Sequence, residues 1–201
     1  MSASTVWIGA DPGGAGRFGV CLLYGDGRVA AANANCADDA VAFVRERLHG
    51  EPCGAGVDSP LWWSSGPSGD RHVDQWLRNR YRLSGGQVQA ANSLRGAALV
   101  QGVMFVARMR ESYPSLTVTE SHPKALLKAC YEDSWNTFAA HHGVQWEATT
   151  EDARDAVIAA VAAREGFSGH WQNDLAESRL AGEQDPKRYW LAPVSYFWPD
   201  L

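Results

Sequence analysis

The stretch from Val6 to Tyr24, VWIGADPGGAGRFGVCLLY, decides how the chain is read. Val6 to Ala10 is an apolar strand that runs into Asp11, Pro12 to Gly16 is a glycine-rich turn, and Phe18 to Tyr24 is a second apolar strand. Gly25-Asp26-Gly27 then turns the chain into a third strand, Val29 to Ala34. A hairpin has no need of an acid at the tip of its first strand. Asp11 therefore raises the question of where other carboxylates fall.

Outward from this hairpin, helices and strands alternate. ADDAVAFVRERLHG (37–50) carries a capping acid, apolar residues at helical spacing and a closing glycine. CGAGVDSPL (53–61) is a short strand of small residues stopped by Asp58-Ser59-Pro60. GDRHVDQWLRNRYRL (69–83) is helical, SGGQVQAANS (84–93) is a loop, and RGAALVQGVMFVARMRES (95–112) is helical again. LTVTESHP (116–123) is a strand halted at His122-Pro123 and followed by a short helix. TTEDARDAVIAAVAAREG (149–166) opens on a capping threonine and runs Ala-rich to Gly166, and a final strand follows. A meander of three strands followed by βα units predicts a mixed sheet with helices on its faces. Right-handed crossovers set the fourth strand parallel to the first and beside it.

Bulk properties narrow the class. The 201 residues are read as one domain, with a core over about 5–166 and an aromatic-rich extension over 167–201. No apolar run reaches membrane-spanning length, and the opening MSASTVWIGADPGG lacks the basic and long apolar parts of a signal peptide. Cys21, Cys36, Cys53 and Cys130 form no Cys-x-x-Cys pair, so reduced thiols and a cytoplasmic location are expected. A net charge of −5 gives no overall attraction for nucleic acid or anionic lipid, so a nucleic-acid partner requires a local basic patch or bound cations. Nine tryptophans and the tail KRYWLAPVSYFWPDL are read as core and edge packing.

Three of the strands end on acids: the first at Asp11, the fourth at Asp58, the fifth at Glu120. If the strands are parallel neighbours, all three reach one sheet edge, where ligands of such sheets bind. On the last long helix Asp155 shares a face with Ala159 and Ala162, a small-residue stripe suited to the sheet, and Asp152 lies one turn earlier. Each acid also has a plain structural role open to it, as a turn residue, a helix N-terminal charge or an ion-pair partner. Packed carboxylates repel one another, and hard Mg²⁺ or Mn²⁺ relieves that repulsion. Two such ions can activate water and stabilise the leaving oxygen of a phosphodiester.

Arg71, Asp74, Arg78 and Arg82 fall on one helical stripe opposite Val73, Trp76 and Leu77, either a solvated face or a phosphate-contacting strip. Trp62 and Trp63 either stack bases or pack the loop. The Asp-Pro-Gly-Gly turn lacks the spacing of a P-loop.

IGADPGGAGRFGVCLLY resembles the first hairpin of the ribonuclease H-like superfamily, Holliday junction resolvases especially, and EDARDAVIAAVAA resembles their Asp-bearing last helix. Together with GVDSPLWW, RHVDQWLR and TESHPKALLK, these motifs resemble the nucleases classed as domain of unknown function 429, over about Ile8 to Gly166. The resemblance implies a five-stranded sheet of order 3-2-1-4-5 with strand 2 antiparallel. It also implies two-metal phosphodiester hydrolysis centred on Asp11, with Asp58 and Asp155 beside it and Glu120 or Asp152 completing the ligand shell. Asp11, Asp58, Glu120 and Asp155 are then catalytic, and Asp11, Asp58, Asp152 and Asp155 hold Mg²⁺ or Mn²⁺. Arg71, Arg78, Arg82 and His122 contact the nucleic acid, and a homodimer is compatible with resolvase-like action. Lys124 stands where the resembled pattern has an acid. The alternatives are a binding module of the same fold without catalysis, and a small nucleotide phosphohydrolase or phosphotransferase.

Overall fold

β1 (Val6–Asp11), β2 (Phe18–Tyr24) and β3 (Val29–Ala34) pair antiparallel in sequence, with Asp11 opposite Gly19 and Phe18 opposite Ala34. This hairpin core, like the rest, is taken from a computed structural model that describes residues 5–91 and 96–200. The end of the expected loop and the start of the helix after it, 92–95, lie outside the described residues. α1 (Ala37–Arg47) returns the chain so that β4 (Gly54–Val57) pairs parallel with β1, Gly9 beside Gly56 and Ala10 beside Val57. α2 (His72–Tyr81) and α3 (Gly96–Ser112) then lead to β5 (Val118–Glu120), parallel with β4 and with Val57 beside Glu120.

After β5 come α4 (Pro123–Cys130), α5 (Trp135–His141) and α6 (Glu151–Phe167). The tail adds β6 (Asn173–Asp174), β7 (Val194–Ser195) and β8 (Phe197–Trp198). The fold is α/β, and its sheet has the order β3-β2-β1-β4-β5-β7. The first five strands keep the expected order, and the expected final strand is β7, parallel with β5 at the edge. β6 and β8 form a separate two-stranded ribbon that buries Trp198. α5 was not expected: it has seven residues, too short for a clear apolar period, and Ser134 caps it by accepting the Thr137 N–H at 3.2 Å. The cap of α1 is Cys36 and not an acid; Asp38 and Asp39 fall in its first turn, where they meet the positive end of the helix dipole.

Helices cover both faces. Phe18 projects to the α3 side and meets Phe105, their ring centroids 5.7 Å apart. Gly19, the next residue, faces α6. α6 lies directly on backbone: a side chain at Gly19, Gly9 or Gly56 would run into the carbonyls of Asp152, Ala156 or Ala159 respectively. Three glycines on neighbouring strands thus form a flat seat, and the Ala-rich face of α6 settles into it. Thr150 caps α6 as expected, accepting the Ala153 N–H at 3.1 Å. No helix among the described residues is long and apolar enough to cross a membrane.

Candidate metal centre

Strand pleat and helix seat decide which acids meet. Side chains alternate across a sheet, so residues paired in register share a face. Gly9 pairs with Gly56 against α6, which puts Asp11 and Asp58, each two residues on, on that same face. Asp155, on the first turns of α6, completes the group: one oxygen each from Asp11, Asp58 and Asp155 lies within 4.8 Å of the others. Asp155 is buried and the other two are half-buried.

The surroundings of these carboxylates are asymmetric. Arg154 holds Asp155 from outside, donating from Nε to Oδ1 at 2.8 Å with Nη2 at 2.7 Å. Neither the Asp11 nor the Asp58 carboxylate receives a hydrogen bond from any described residue; the Asp58 backbone N–H donates to the Ala10 carbonyl at 2.8 Å. Burial first, then the charges of Asp58, Asp155 and Asp152, push the Asp11 carboxyl well above its ordinary range, while Lys124 pulls the other way. Burial and the Asp155 charge raise Asp58 in the same manner. Burial raises Asp155 too, against the opposing pull of Arg154. Asp11 and Asp58 open into a cleft of about 420 Å³, shared with Ser121, His122, Lys124, Gln87 and Arg71, and Asp155 backs them from α6.

Glu120 does not join this group. It pairs with Val57, so the pleat turns it to the opposite face from Asp58. There its carboxylate accepts two bonds from Arg71, Nη1 to Oε2 and Nη2 to Oε1, both at 2.7 Å, and the Leu61 N–H at 2.9 Å. The same alternation brings the next residue, Ser121, to the Asp58 side, its N–H donating to the Val57 carbonyl at 2.9 Å. Ser121 Oγ is buried, lines the cleft and has no hydrogen-bond partner among the described residues. A sequence reading keyed to charge passes over Ser121; counting strand parity from Gly56 finds it.

Asp152 is also held apart. Arg17 donates from Nε to its Oδ2 at 2.9 Å, and Asn33 Nδ2 donates to the same oxygen at 3.0 Å. Thr150 Oγ1 donates to Asn33 Oδ1 at 2.7 Å, so the set ties the start of α6 to β3 and the first hairpin turn.

The three arginines do not form one strip. Arg71 precedes α2 and is buried, its guanidinium chelated by Glu120 and by Asp74, Nη2 to Oδ1 at 2.9 Å, with its flat face 4.3 Å from the Trp62 ring. Burial disfavours its charge, but Glu120 and Asp74 overcome this and hold its pKa well up. Arg78 is mostly covered, bound to Asp70 at 2.7 Å and donating to the Val88 carbonyl at 3.0 Å. Arg82 ends α2 in a left-handed conformation at φ 54° and is exposed. His122 donates from Nε2 to the Gln87 carbonyl at 2.8 Å, which fixes its tautomer and anchors the 84–90 loop over the cleft; burial lowers its pKa. Trp62 is buried and donates to Glu183 at 2.6 Å, whereas Trp63 is partly exposed. Compared with family models, with curated proteins and with solved structures, the chain matched none of them.

Proposed function

We propose that this chain is a metal-dependent nuclease of ribonuclease H-like fold, hydrolysing phosphodiester bonds of nucleic acid. One observation carries the reading: the Asp11 and Asp58 carboxylates lie with that of Asp155 within 4.8 Å and, among the described residues, receive no hydrogen bond, while a buried Ser121 hydroxyl without a partner among those residues lines the same cleft. A cation relieves the repulsion among acids at this spacing, and an all-oxygen donor set suits Mg²⁺ or Mn²⁺ better than zinc. The strand order β3-β2-β1-β4-β5 is the one the sequence resemblance implies.

Asp11, Asp58 and Asp155 would hold the ion. When bound, it lowers the pKa of water and neutralises charge developing on the phosphoryl group. Asp11 and Asp58, fixed to adjacent strands, set its position, and Arg154 orients Asp155. Ser121 Oγ donates to a phosphoryl oxygen. In the reaction a water oxygen bonds to phosphorus and the bond from phosphorus to the ester oxygen breaks. The water proton passes to solvent, and the departing oxygen gains one from solvent.

The test is cleavage of labelled single-stranded, duplex, hybrid and branched polymers with Mg²⁺, Mn²⁺ or EDTA, using wild-type and Asp11→Asn protein. Metal-dependent cutting lost in Asp11→Asn is expected, and cutting that survives the substitution refutes the assignment. The cleft volume of about 420 Å³ also suits a small ligand, which favours a second reading as a nucleotide phosphohydrolase. Turnover of free nucleotides without action on polymers selects it.

A further inference from the structure

The carboxylates around the cleft are nearly all engaged. Glu120 and Asp74 are taken by Arg71, Asp152 by Arg17 and Asn33, and Glu151 by Lys124 Nζ at 2.8 Å. Among the described residues this leaves Asp11, Asp58 and Asp155 as the converging acids, and Arg154 already offsets one of their three negative charges. A pair of divalent ions brings four positive charges to that set, and no fourth carboxylate is free to bridge or balance them. One divalent ion balances the two that remain, and a phosphoryl group entering the site brings a further negative charge.

A fixed cation stands ready to meet it. Lys124 occupies the first turn of α4, three residues beyond Ser121, and lines the same cleft. Glu151 grips its ammonium from the first turn of α6, the helix that carries Asp155 four residues later on the same face. The ion pair therefore fastens α4 to α6 across the rim. There the lysine charge acts on Asp11, Asp58 and Asp155 alike.

We propose that the centre takes one divalent cation per chain, and that Lys124 supplies the second positive charge as an ammonium contacting the phosphoryl group opposite that ion. This rests on the nuclease reading. With Asp11, Asp58, Asp155, Arg154 and one divalent ion the formal charge of the centre is zero before substrate enters, and the Lys124–Glu151 pair adds none. The ammonium stays protonated throughout: it donates hydrogen bonds to phosphoryl oxygens and neither gives up nor takes a proton in the reaction. Ser121 Oγ and Lys124 Nζ form the donor side of the cleft, and Asp11 and Asp58, backed by Asp155, form the cation side.

The experiment titrates the full-length protein with Mn²⁺ alone, following free Mn²⁺ by electron paramagnetic resonance and heat by calorimetry. Wild type, Asp11→Asn, Lys124→Met and Lys124→Arg are compared. One Mn²⁺ per wild-type chain is expected, lost in Asp11→Asn. Lys124→Met should still bind one, on the order of fivefold more tightly because a nearby like charge is gone. Its cleavage rate should fall by about a hundredfold, the usual cost of removing one preorganised donor to developing charge. Lys124→Arg should recover part of that loss. Tighter metal binding together with slower cleavage is a pairing that a purely structural lysine would not produce. Two Mn²⁺ per wild-type chain, both lost in Asp11→Asn, would overturn the one-ion centre and leave the nuclease reading standing. Unchanged cleavage in Lys124→Met would overturn the role of the lysine. No uptake of Mn²⁺ by wild type would overturn the nuclease reading as well.

Discussion

Replacing Arg71 by methionine separates two roles that predict opposite phenotypes. The guanidinium is 2% exposed, chelates Glu120 at 2.7 Å through both terminal nitrogens, and binds Asp74 through Nε at 3.1 Å and Nη2 at 2.9 Å. Methionine fills much of the volume but leaves the Glu120 carboxylate buried without a cation. Breaking a buried pair from one side costs about 3–5 kcal/mol, a large share of a total stability of roughly 5–15 kcal/mol. For a chain of this size that corresponds to a fall in Tm of roughly 6–20 °C, read by circular dichroism or calorimetry. The pH dependence has a definite sign. Without Arg71 the folded-state pKa of Glu120 rises further, because burial already raises it and the opposing arginine is gone. A carboxyl raised on folding favours the folded state below its ordinary value of 4.5 and loses that advantage as pH rises. The gap in stability between wild type and Arg71→Met should therefore widen from pH 4 to pH 7. A double variant, Arg71→Met with Glu120→Leu, should recover part of the loss, since removing both charges avoids the uncompensated one. If Arg71→Met melts within about 2 °C of wild type and instead loses affinity for nucleic acid, the buried-anchor account is refuted and the phosphate-contacting role is restored.

Three further outcomes follow from the same geometry. Asp11, Asp58 and Asp155 are all raised on folding, so without metal their contribution is most favourable below the ordinary value of 3.8 and is lost with rising pH. Mn²⁺ should then raise Tm more at pH 8 than at pH 5, and Asp58→Asn should stabilise the metal-free protein at pH 8 while abolishing the metal effect. Ser121→Ala removes a buried hydroxyl with no partner among the described residues, so stability should hold or rise by up to about 1 kcal/mol in a urea titration while cleavage slows; a marked loss of stability would show that the hydroxyl is bonded within the fold. Gly56→Ala sets a methyl group against the Ala159 carbonyl, and the resulting shift of α6 should cost about 1–3 kcal/mol or more and weaken Mn²⁺ binding through displacement of Asp155. A urea midpoint matching wild type would show that the helix seat is more yielding than described.

Much of the architecture was legible from local pattern. Alternating and continuous apolar runs, the Gly25–Gly27 turn and the Thr150 cap carry their own signals, and the right-handed crossover rule sets β4 beside β1. The placement of Asp11 and Asp58 at strand ends and of Asp155 on the small-residue face of α6 followed from the same reasoning, and the three acids do converge. The short α5 was not legible, because seven residues carry too little periodicity to register.

Which charged groups end together was decided only by tertiary structure. Strand-end position made Glu120 look like Asp11 and Asp58, but pairing with Val57 turned it to the other face, where Arg71 neutralises it. Helical spacing set Arg71 beside Arg78 and Arg82 on one stripe, yet Arg71 precedes the first turn and folds inward, Arg78 is drawn to Asp70 and Val88, and only Arg82 is exposed. Asp152 lies one turn from Asp155 and is nonetheless claimed by Arg17 from the distant first hairpin. Periodicity along a chain records which way a side chain points relative to its own element. Whether an opposite charge waits there depends on the register between strands and on the glycine seat that sets the depth of α6, and both are properties of contacts far apart in sequence.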